Sequence, residues 1–314
     1  MSNIQVCTNC VMDTTDSKIT FDENGVCDHC NTYYKDIEPV WNYGKGREEE
    51  LEQLVEAIKK EGKGKDFDCL MGMSGGIDSS YLLYKMTHDY GLRPLVFHVD
   101  AGWNSQIAVN NIEKLIDGLD LDLYTEVINW EEVRDLQLAF FKSGVPHTDV
   151  PQDHAFFATM YKFASKHKIK YILTGGNYST ECVRNPLEWM YYQSDSIQLK
   201  DIHKKHGSGK LKDYPVTNIL WHKVYLPYIR GIKLYRPLDY MVYKHFESRF
   251  TKFYESYWLP ERFGYDTRKV QFSSLILTNQ MTREEALKEL KTPAYDPEQV
   301  EHDKEYVANK LRIP

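Results

Sequence analysis

The segment Gly72–Ser80 constrains this chain more than any other, because its glycines and serines lie between an apolar run and a helix. The run is Phe67–Met71, and the amphipathic stretch Ile77–Tyr90 follows. A backbone that leaves a strand, turns on glycines and enters a helix presents main-chain amides and the positive end of the helix dipole to an anion. The pattern therefore predicts a phosphate-binding loop.

Short apolar runs alternate with amphipathic stretches from Asp66 to about Gly176. Repeated βα units of this length predict an α/β fold, with a parallel sheet covered on both faces and ligands at the carboxyl ends of its strands. The predicted strands are 67–71, 94–99, 121–127 and 170–174, and the predicted helices are 77–90, 105–119, 130–141 and 154–167.

Asp78 is the unexpected residue of the loop, because a bare carboxylate would repel a phosphate. A bound Mg²⁺ removes the conflict, so Asp78 is predicted to be a magnesium ligand. The Gly-Lys-Ser/Thr ending of a Walker loop and the dinucleotide Gly-x-Gly-x-x-Gly spacing are both missing. The residues predicted to hold the phosphate are Ser74, Gly75, Gly76, Ser79 and Ser80.

Two cysteine pairs, Cys7-x-x-Cys10 and Cys27-x-x-Cys30, have the spacing of a four-thiolate structural zinc site. Each pair forms a turn whose amides steady the sulfurs, and a tetrahedral ion joins two turns that lack the apolar mass to fold alone. Disulfides and an iron–sulfur cluster are the alternatives. Residues 1 to about 45 are predicted to form a loop-rich zinc module.

The composition limits the kinds of partner that the protein is expected to bind. A net charge of -7 and a pI of about 5.9 provide no global positive field for a nucleic acid. No stretch approaches the roughly 20 apolar residues of a membrane span, and the first residues carry no secretion signal. We expect a cytoplasmic protein with neither a nucleic acid nor a membrane as partner.

The loop Ser74–Ser80 resembles the Ser-Gly-Gly-x-Asp-Ser PP-loop of the ATP pyrophosphatases. That superfamily has the adenine nucleotide alpha hydrolase-like fold and includes NAD synthetase, GMP synthetase, argininosuccinate synthetase and the tRNA thiolases. The resemblance implies that the loop grips pyrophosphate with Mg²⁺ while ATP adenylylates the substrate. Further ATP-binding residues that it implies are Met73, His98, Val99, Asp100, Gly175, Gly176, Asn177, Lys233 and Arg236, with helix capping as the alternative for Asp100 and a surface cation as the alternative for Lys233 and Arg236.

Several segments together resemble the N-acetyl sugar amidotransferases over nearly the whole chain. They are the cysteine pairs, the loop, Val99-Asp100-Ala101-Gly102-Trp103, Gln152-Asp153-His154-Ala155, Thr174-Gly175-Gly176-Asn177 and Gln280-Met281-Thr282-Arg283-Glu284-Glu285-Ala286. The resemblance implies conversion of an acetamido to an acetamidino group on a sugar or sugar nucleotide, for lipopolysaccharide O-antigen or flagellar glycan. It also implies a separate glutaminase, similar to the glutaminase and cyclase pair of histidine biosynthesis, as the ammonia donor.

Aromatic, cationic and acidic residues suited to a sugar nucleotide lie between positions 146 and 193. The predicted substrate residues are Asp153, His154, Arg184, Trp189 and Tyr191. His154 is also a candidate catalytic residue beside Ser74, Asp78 and Arg236, although a first-turn helix position is the plainer interpretation of this histidine.

Two further cysteines bear on the alternative functions. Cys69 lies inside the first predicted strand and Cys182 stands alone, which weakens a sulfur-transfer chemistry. Ser2 occupies the place of an N-terminal cysteine nucleophile, so no built-in glutaminase is expected. A tRNA-modifying thiolase or lysidine-type enzyme is the alternative, and a non-catalytic nucleotide-binding module is another.

Three zones are predicted along the chain. Residues 1–45 form the zinc module, and residues 46–240 form the PP-loop domain with a substrate-binding insert at about 178–235. Residues 241–314 form a helical C-terminal region, where Thr282-x-x-Glu285 is a capping box and Asp296-Pro297 starts the last helix.

Overall fold

The computed structural model describes residues 4–41, 47–241 and 254–313. Its centre is a five-stranded sheet, all parallel, in the order β3-β2-β1-β4-β5. The strands are β1 (Cys69–Gly72), β2 (Pro94–Asp100), β3 (Leu123–Val127), β4 (Tyr171–Leu173) and β5 (Lys233–Tyr235). The predicted α/β class with a parallel sheet is confirmed.

The first four strands are those that the sequence predicts, and each of their ends lies within two residues of the predicted one. Lys233–Tyr235 was not predicted, and it pairs in parallel with Tyr171–Leu173 as the fifth strand. Its three residues mix charged and aromatic side chains, so they carry no periodic signal. The sheet therefore includes residues that were expected to end the substrate-binding insert.

The helices follow the strands as expected for βα units. They are α1 (Asp28–Thr32), α2 (Glu38–Trp41), α3 (Glu48–Gly62), α4 (Ile77–Tyr84), α5 (Gln106–Leu119), α6 (Trp130–Ser143), α7 (Val150–Lys166), α8 (Tyr178–Glu181), α9 (Ser196–His206), α10 (Leu259–Phe263), α11 (Arg268–Leu277), α12 (Arg283–Glu289) and α13 (Pro297–Leu311). Ser105 accepts a hydrogen bond from the Ala108 amide at the start of α5, and Asn129 caps α6 in the same way. The reciprocal capping box of Thr282 and Glu285 is present.

Two apolar cores cover the two faces of the sheet. One core joins the strands to α3, α4 and α5, with Leu51, Leu82 and Ile112 among its buried members. The other joins them to α6, α7 and α9, with Phe140 and Leu199 buried. Burial on both faces explains why the central strands are short and apolar.

Two helical boundaries differ from the prediction. The amino-terminal module is not merely loops, because α1, the π-helical turn Tyr33–Ile37 and α2 form one continuous helical stretch. Helix α7 begins at Val150 rather than His154, with Pro151 in its first turn, where a missing amide costs nothing. No helix among the described residues is both long and apolar enough to cross a bilayer.

Candidate functional site

The strand order places the phosphate loop at a topological switch point. Strands β2 and β3 lie on one side of β1, and β4 and β5 lie on the other. In open parallel sheets, ligands bind in the crevice that opens at such a reversal, beyond the carboxyl ends of the strands. Here the crevice lies between the loop after β1, residues 73–76, and the loop after β4, residues 174–177.

The phosphate loop is ordered by its own serines. The Ser74 and Ser79 hydroxyls lie 3.1 Å apart, and the Gly76 amide donates to Ser74 Oγ at 3.2 Å. The hydroxyls of Ser79 and Ser80 both donate to the Gly76 carbonyl. These bonds hold the turn in shape at the start of α4, where free amides and the helix dipole favour an anion.

Gly75 is required by both conformation and space. Its φ is +78°, a left-handed conformation that L side chains rarely adopt. A Cβ on Gly75 would overlap the backbone of Ala108 in α5. The side-chain amide of Asn111, also in α5, donates to the Gly75 carbonyl at 3.1 Å. The phosphate loop therefore packs closely against helix α5.

Asp78 faces the opposite side of the crevice. The carboxylate is buried in the first turn of α4, and the side-chain amide of Asn177 lies 3.4 Å from its Oδ2. A Cβ on Gly175 would lie within about 3 Å of the Ser79 amide and of Asp78, so this glycine lets the β4 loop approach the helix. The structure thus brings together the predicted residues of two separate loops.

A third loop adds Arg236, which directly follows β5. Its guanidinium pairs with Asp239 at 3.1 Å and Glu181 at 3.6 Å, and it lies over the ring of Tyr178 at 4.9 Å. A Cβ on Gly176 would lie 3.1 Å from its Nε. Burial raises the pKa of Asp239 to about 6, although the neighbouring guanidinium opposes the rise. Arg236 is a fixed cation at the crevice.

Lys233 lies elsewhere. It pairs with Tyr171 at the beginning of β5, and its side chain is exposed. Parallel strands share one carboxyl edge, and Arg236 is at that edge whereas Lys233 is at the opposite one. A strand that the sequence did not reveal therefore separates the two cations, and the interpretation of Lys233 as an ATP-binding residue stays a prediction.

The segment after β2 is arranged around a histidine. The ring of His98 donates from Nδ1 to the Met73 carbonyl at 2.8 Å, and its Nε2 accepts from the Asn104 side chain at 2.9 Å. Val99 is buried. Asp100 accepts the Gly102 amide in a turn, so it does not cap a helix, a role that Ser105 fills instead. His98 thus links the end of β2 to the phosphate loop.

The donor set at the crevice suits a hard cation that binds ATP phosphates. Asp78 supplies a buried carboxylate in the first turn of α4. Mg²⁺ takes oxygen ligands and is held by one or two carboxylates together with the substrate phosphates. Asp78 would hold such an ion, while the loop amides and Arg236 would face the phosphates.

A second group of polar residues lies on the same side of the sheet. Helix α7 leads directly into β4 and so runs opposite to it, which puts the amino end of α7 beyond the carboxyl edge. Met160 in its second half lies against Gly72, at the end of β1. The first turns of α7, with Asp153, therefore project past the sheet.

Asp153 lines an internal cleft there. Burial raises the pKa of its carboxyl to about 6, yet 28% of its side chain remains accessible. The Gln193 side chain lies 3.4 Å from its Oδ2, and His147 Nε2 lies 4.0 Å from the same oxygen. A carboxyl that is deep in the protein but still accessible can meet a ligand.

The tautomer of His147 follows from its contacts. Its Nδ1 accepts the Tyr191 amide at 2.8 Å, and burial lowers the pKa of the ring to about 4. The neutral ring therefore carries its proton on Nε2, facing Asp153. The ring of Tyr254 stacks on His147 at 6.0 Å. The structure thus brings Asp153 and Tyr191 together, as the sequence predicts, and adds the buried His147.

His154 has a different role. It lies inside α7 and is fully buried, and its Nδ1 donates to the Gln193 carbonyl while its Nε2 accepts the Thr217 amide. Both ring nitrogens are engaged by backbone groups, so the ring fixes the insert to α7. The structure gives His154 this packing role, and its interpretation as a catalytic or substrate-binding residue stays a prediction.

The other two predicted substrate residues, Trp189 and Arg184, differ in their exposure. Trp189 is fully buried and stacks on Tyr265 at 5.0 Å, so its ring faces are covered by protein and cannot stack on a ligand. Arg184 is exposed at the surface. An aromatic and a cationic residue in one short segment can belong either to the core or to a ligand-binding surface, and the sequence alone does not distinguish the two.

The four predicted thiolates converge. Cys7, Cys10, Cys27 and Cys30 are all buried, and their sulfurs lie within 4.8 Å of one another. Measured pairs are 3.6, 3.7 and 3.9 Å apart. Zn–S bonds of about 2.3 Å put the sulfurs of a tetrahedron roughly 3.8 Å apart, so the set fits a single ion such as zinc. Backbone amides of Asn9, Cys10 and Cys27 point at Cys7 Sγ, as expected around thiolates.

The C-terminal helices clamp this centre. Arg283 in α12 donates to the Cys7 carbonyl at 2.8 Å and to the Cys10 carbonyl at 3.0 Å. Lys269 in α11 pairs with Asp13 at 2.6 Å. The cysteine cluster and the C-terminal helices share one apolar core, which contains the ring of Trp189.

Three residues of the site, Asp239, His147 and Tyr254, are absent from the predicted set. Asp239 follows Arg236 at a spacing of three residues, which is typical of a local ion pair. His147 lies within the segment 146–193 that is suited to a sugar nucleotide, but its neighbours in sequence do not single it out. Tyr254, which covers it, gave no signal, because its contact spans more than a hundred positions of the chain.

Comparisons with known proteins point to one family at the C-terminal end. Residues 247–314 match the family model described as LPS biosynthesis protein WbpG-like, C-terminal domain. The described part of this match holds α10 to α13, including Lys269 and Arg283. The predicted resemblance to a lipopolysaccharide-biosynthesis family is confirmed for this segment. None of the curated proteins matches the chain significantly.

Three solved structures are similar to this chain at low scores. An NH3-dependent NAD synthetase from Campylobacter jejuni is 14% identical, with a TM-score of 0.34 over 84% of this chain and 96% of that one. An NMN synthetase from Francisella tularensis is 14% identical, with a TM-score of 0.34 over 60% of this chain and 87% of that one. The U34-tRNA thiolase NcsA from Methanococcus maripaludis, solved with its [4Fe-4S] cluster, is 10% identical. Its TM-score is 0.36 over 98% of this chain and 87% of that one. Every TM-score is below 0.5. The fold of this chain is therefore described from its own strand order and phosphate loop.

Proposed function

We propose that this chain is an ATP-dependent PP-loop synthetase of lipopolysaccharide biosynthesis, and that it converts the acetamido group of an N-acetylated sugar or sugar nucleotide to an acetamidino group. Ammonia would come from a separate glutaminase, and the product would enter an O-antigen or a flagellar glycan. The C-terminal match to an LPS biosynthesis family supports the pathway. The crevice supports the use of ATP.

One observation carries the proposal: three loops from three parallel strands meet at the switch point. Asp78 after β1, Asn177 after β4 and Arg236 after β5 surround the start of α4. A helix N-terminus, a carboxylate for a cation and a fixed guanidinium are together the chemistry that binds a triphosphate. Their position at the carboxyl edge is where this class of sheet binds ligands.

The chemistry explains why ATP is needed. The carbon of an amide resists ammonia because its oxygen is a poor leaving group. The acetamido oxygen attacks the α-phosphorus of ATP, the bond to pyrophosphate breaks, and an adenylate forms on that oxygen. Ammonia then adds to the carbon, and the C–O bond breaks to release AMP, which keeps the former acetamido oxygen. The products are an amidine, AMP and pyrophosphate. Positioning and charge stabilisation can lower such a barrier by on the order of ten kcal/mol.

We propose that the acetamido sugar binds in the cleft lined by His147, Asp153, Tyr191 and Gln193. Asp153 offers a carboxyl whose pKa of about 6 is suited to proton transfer near neutral pH. Ammonia adds as a neutral base and must lose a proton as the amidine forms. A carboxylate at the cleft can accept that proton.

Sulfur transfer is less well supported by this chain. Cys69 and Cys182 are both buried, and burial raises the pKa of the Cys182 thiol to about 11. A thiol nucleophile needs exposure and a lowered pKa. The remaining four cysteines form the buried cluster that is suited to a metal ion.

The decisive experiment follows one oxygen atom. The protein would be incubated with ATP, magnesium, ammonium and acetamido sugar nucleotides that carry heavy oxygen in the acetamido group. We expect a product in which an oxygen has been replaced by an imino group, and heavy oxygen in the AMP. ADP in place of AMP, or unlabelled AMP, would contradict the proposal. Pyrophosphate release that needs tRNA and a sulfide donor, and not the sugar, would establish the thiolase alternative.

A further inference from the structure

A strongly basic surface lies on this acidic protein, and it is built from two segments. Neither residues 154–180 nor residues 214–238 contain a single Asp or Glu, although the chain has 46 of them and a net charge of -7. The exclusion of acids from two separate stretches of sequence is informative only if the stretches meet in space.

The two segments do pack together. The ring of His222 lies 4.5 Å from that of Tyr161, and Arg230 donates to the Ser165 carbonyl at 2.6 Å. The Lys233 amide donates to the Lys170 carbonyl at 2.8 Å, which continues the pairing of β5 with β4. The segments therefore form one continuous surface of α7, the β4–β5 edge and the π-helix Trp221–Ile229.

The same surface exposes large apolar side chains. Leu220, Tyr228 and Ile229 are 74, 81 and 69% exposed, and Val224 and Tyr225 are also on the outside. They recur about every four residues along the π-helix, while Leu226 is buried against the core. Exposed apolar groups this large and this close together normally mark a binding surface. We call these five residues, with the exposed cations Lys162, Lys166, Lys168, Lys223 and Arg230, the basic–apolar face.

We propose that the basic–apolar face binds the surface of an anionic lipid bilayer. Aliphatic and tyrosine side chains flanked by lysines are the composition of helices that lie in a membrane interface. Four of the five cations are lysines, a residue that is depleted at protein–protein interfaces. The outer surface of a nucleic acid is a charged phosphate backbone, which gives exposed leucine and isoleucine side chains little to bury against. The binding would be peripheral, and it revises our expectation that the protein has no membrane partner.

The position of the face suits such a role. Arg230 lies against the carboxyl end of α7, which is at the amino edge of the sheet, opposite the phosphate loop. Docking there would leave the crevice open to its substrates. The inference does not depend on the proposed reaction, because it concerns a different surface and is tested without ATP.

The test is co-sedimentation of the full chain with vesicles. We expect binding to equimolar phosphatidylglycerol and phosphatidylcholine, little binding to phosphatidylcholine alone, and release by salt. Lys166→Glu with Lys168→Glu should weaken binding at least about tenfold, since each lysine near an anionic surface contributes roughly fivefold. Leu220→Ser with Tyr228→Ser should weaken it about tenfold.

Matched variants lie outside the face. Ile197→Ser removes an apolar side chain that is as exposed as Tyr228, and Lys288→Glu with Lys291→Glu reverses two exposed cations in the C-terminal region. Both should bind vesicles as the unchanged protein does. Equal losses in the control variants would overturn the proposal, as would no binding to anionic vesicles. A dimer that Leu220→Ser dissociates, or RNA binding without vesicle binding, would assign the face to another occupant.

Discussion

The side-chain amide of Asn177 lies 3.4 Å from the carboxylate of Asp78, across the gap between the loops that follow β4 and β1. The two residues are 99 positions apart in the chain. Asn177 also accepts the Thr180 amide with its side-chain oxygen, which fixes the orientation of its amide group. The contact therefore joins the loop after β4 to the first turn of α4.

Asp78→Asn should lower the rate of substrate-dependent pyrophosphate release at least about a hundredfold, because it removes the charge that would hold Mg²⁺. The change preserves the size of the side chain, so the zinc content and the melting temperature should stay nearly unchanged. Asp117→Asn, an exposed substitution in α5, is the control. Full turnover in Asp78→Asn would remove the proposed role.

Gly75→Ala should be much more damaging than Gly64→Ala. Both glycines have φ of +78°, so each alanine costs about 1–2 kcal/mol in backbone conformation. A Cβ on Gly64 meets no atom within 4 Å, whereas one on Gly75 overlaps Ala108. Urea unfolding should show the larger loss for Gly75→Ala, and pyrophosphate release should be lost in that variant alone. Equal losses would show that helix α5 does not constrain the loop.

Arg283→Ala should speed the loss of zinc from the cysteine centre to a chromogenic chelator. The guanidinium bonds the carbonyls of Cys7 and Cys10, and charged hydrogen bonds of this kind contribute about 1.5–3 kcal/mol each. Arg312→Ala is the control, because its pair with Glu131 is exposed and contributes about 0–1 kcal/mol. Identical release rates in the two variants would contradict the clamp.

Asp153→Asn should stabilise the protein at pH 7.5 but not near pH 4. Burial raises the pKa of Asp153 to about 6, from about 4 in an unfolded chain. The folded state then binds the proton more tightly, so stability is lost as the pH rises from about 4 to 6. Asparagine does not ionise, and removing that cost should gain roughly 1–3 kcal/mol above pH 6. Chemical unfolding at both pH values measures the difference, and no gain at pH 7.5 would place Asp153 in a well-solvated site.

The parts of the molecule that the sequence predicts are those with local signals. The phosphate loop, four strands, the capping box and the cysteine spacing each depend on neighbouring residues, and each is present. The surroundings that local signals do not give depend on distant contacts. Trp189 and His154 have the chemistry of recognition residues, but Tyr265 covers one and backbone groups from Gln193 and Thr217 occupy the other.

The three residues of β5 illustrate the same limit. Lys233 and Arg236 are near neighbours in sequence, and their charge alone does not tell them apart. Their separation depends on pairing with β4, which is more than sixty positions away. A short edge strand draws its stability from the sheet rather than from its own side chains. Local patterns therefore cannot locate it.

The bond between Arg283 and the Cys7 carbonyl spans 276 positions of the chain. During synthesis the thiols therefore emerge long before the helices that will hold their turns in place. Loop closure over such a distance is slow relative to local folding. The carbonyls of Cys7 and Cys10 therefore gain their bonds to Arg283 only after helix α12 has left the ribosome.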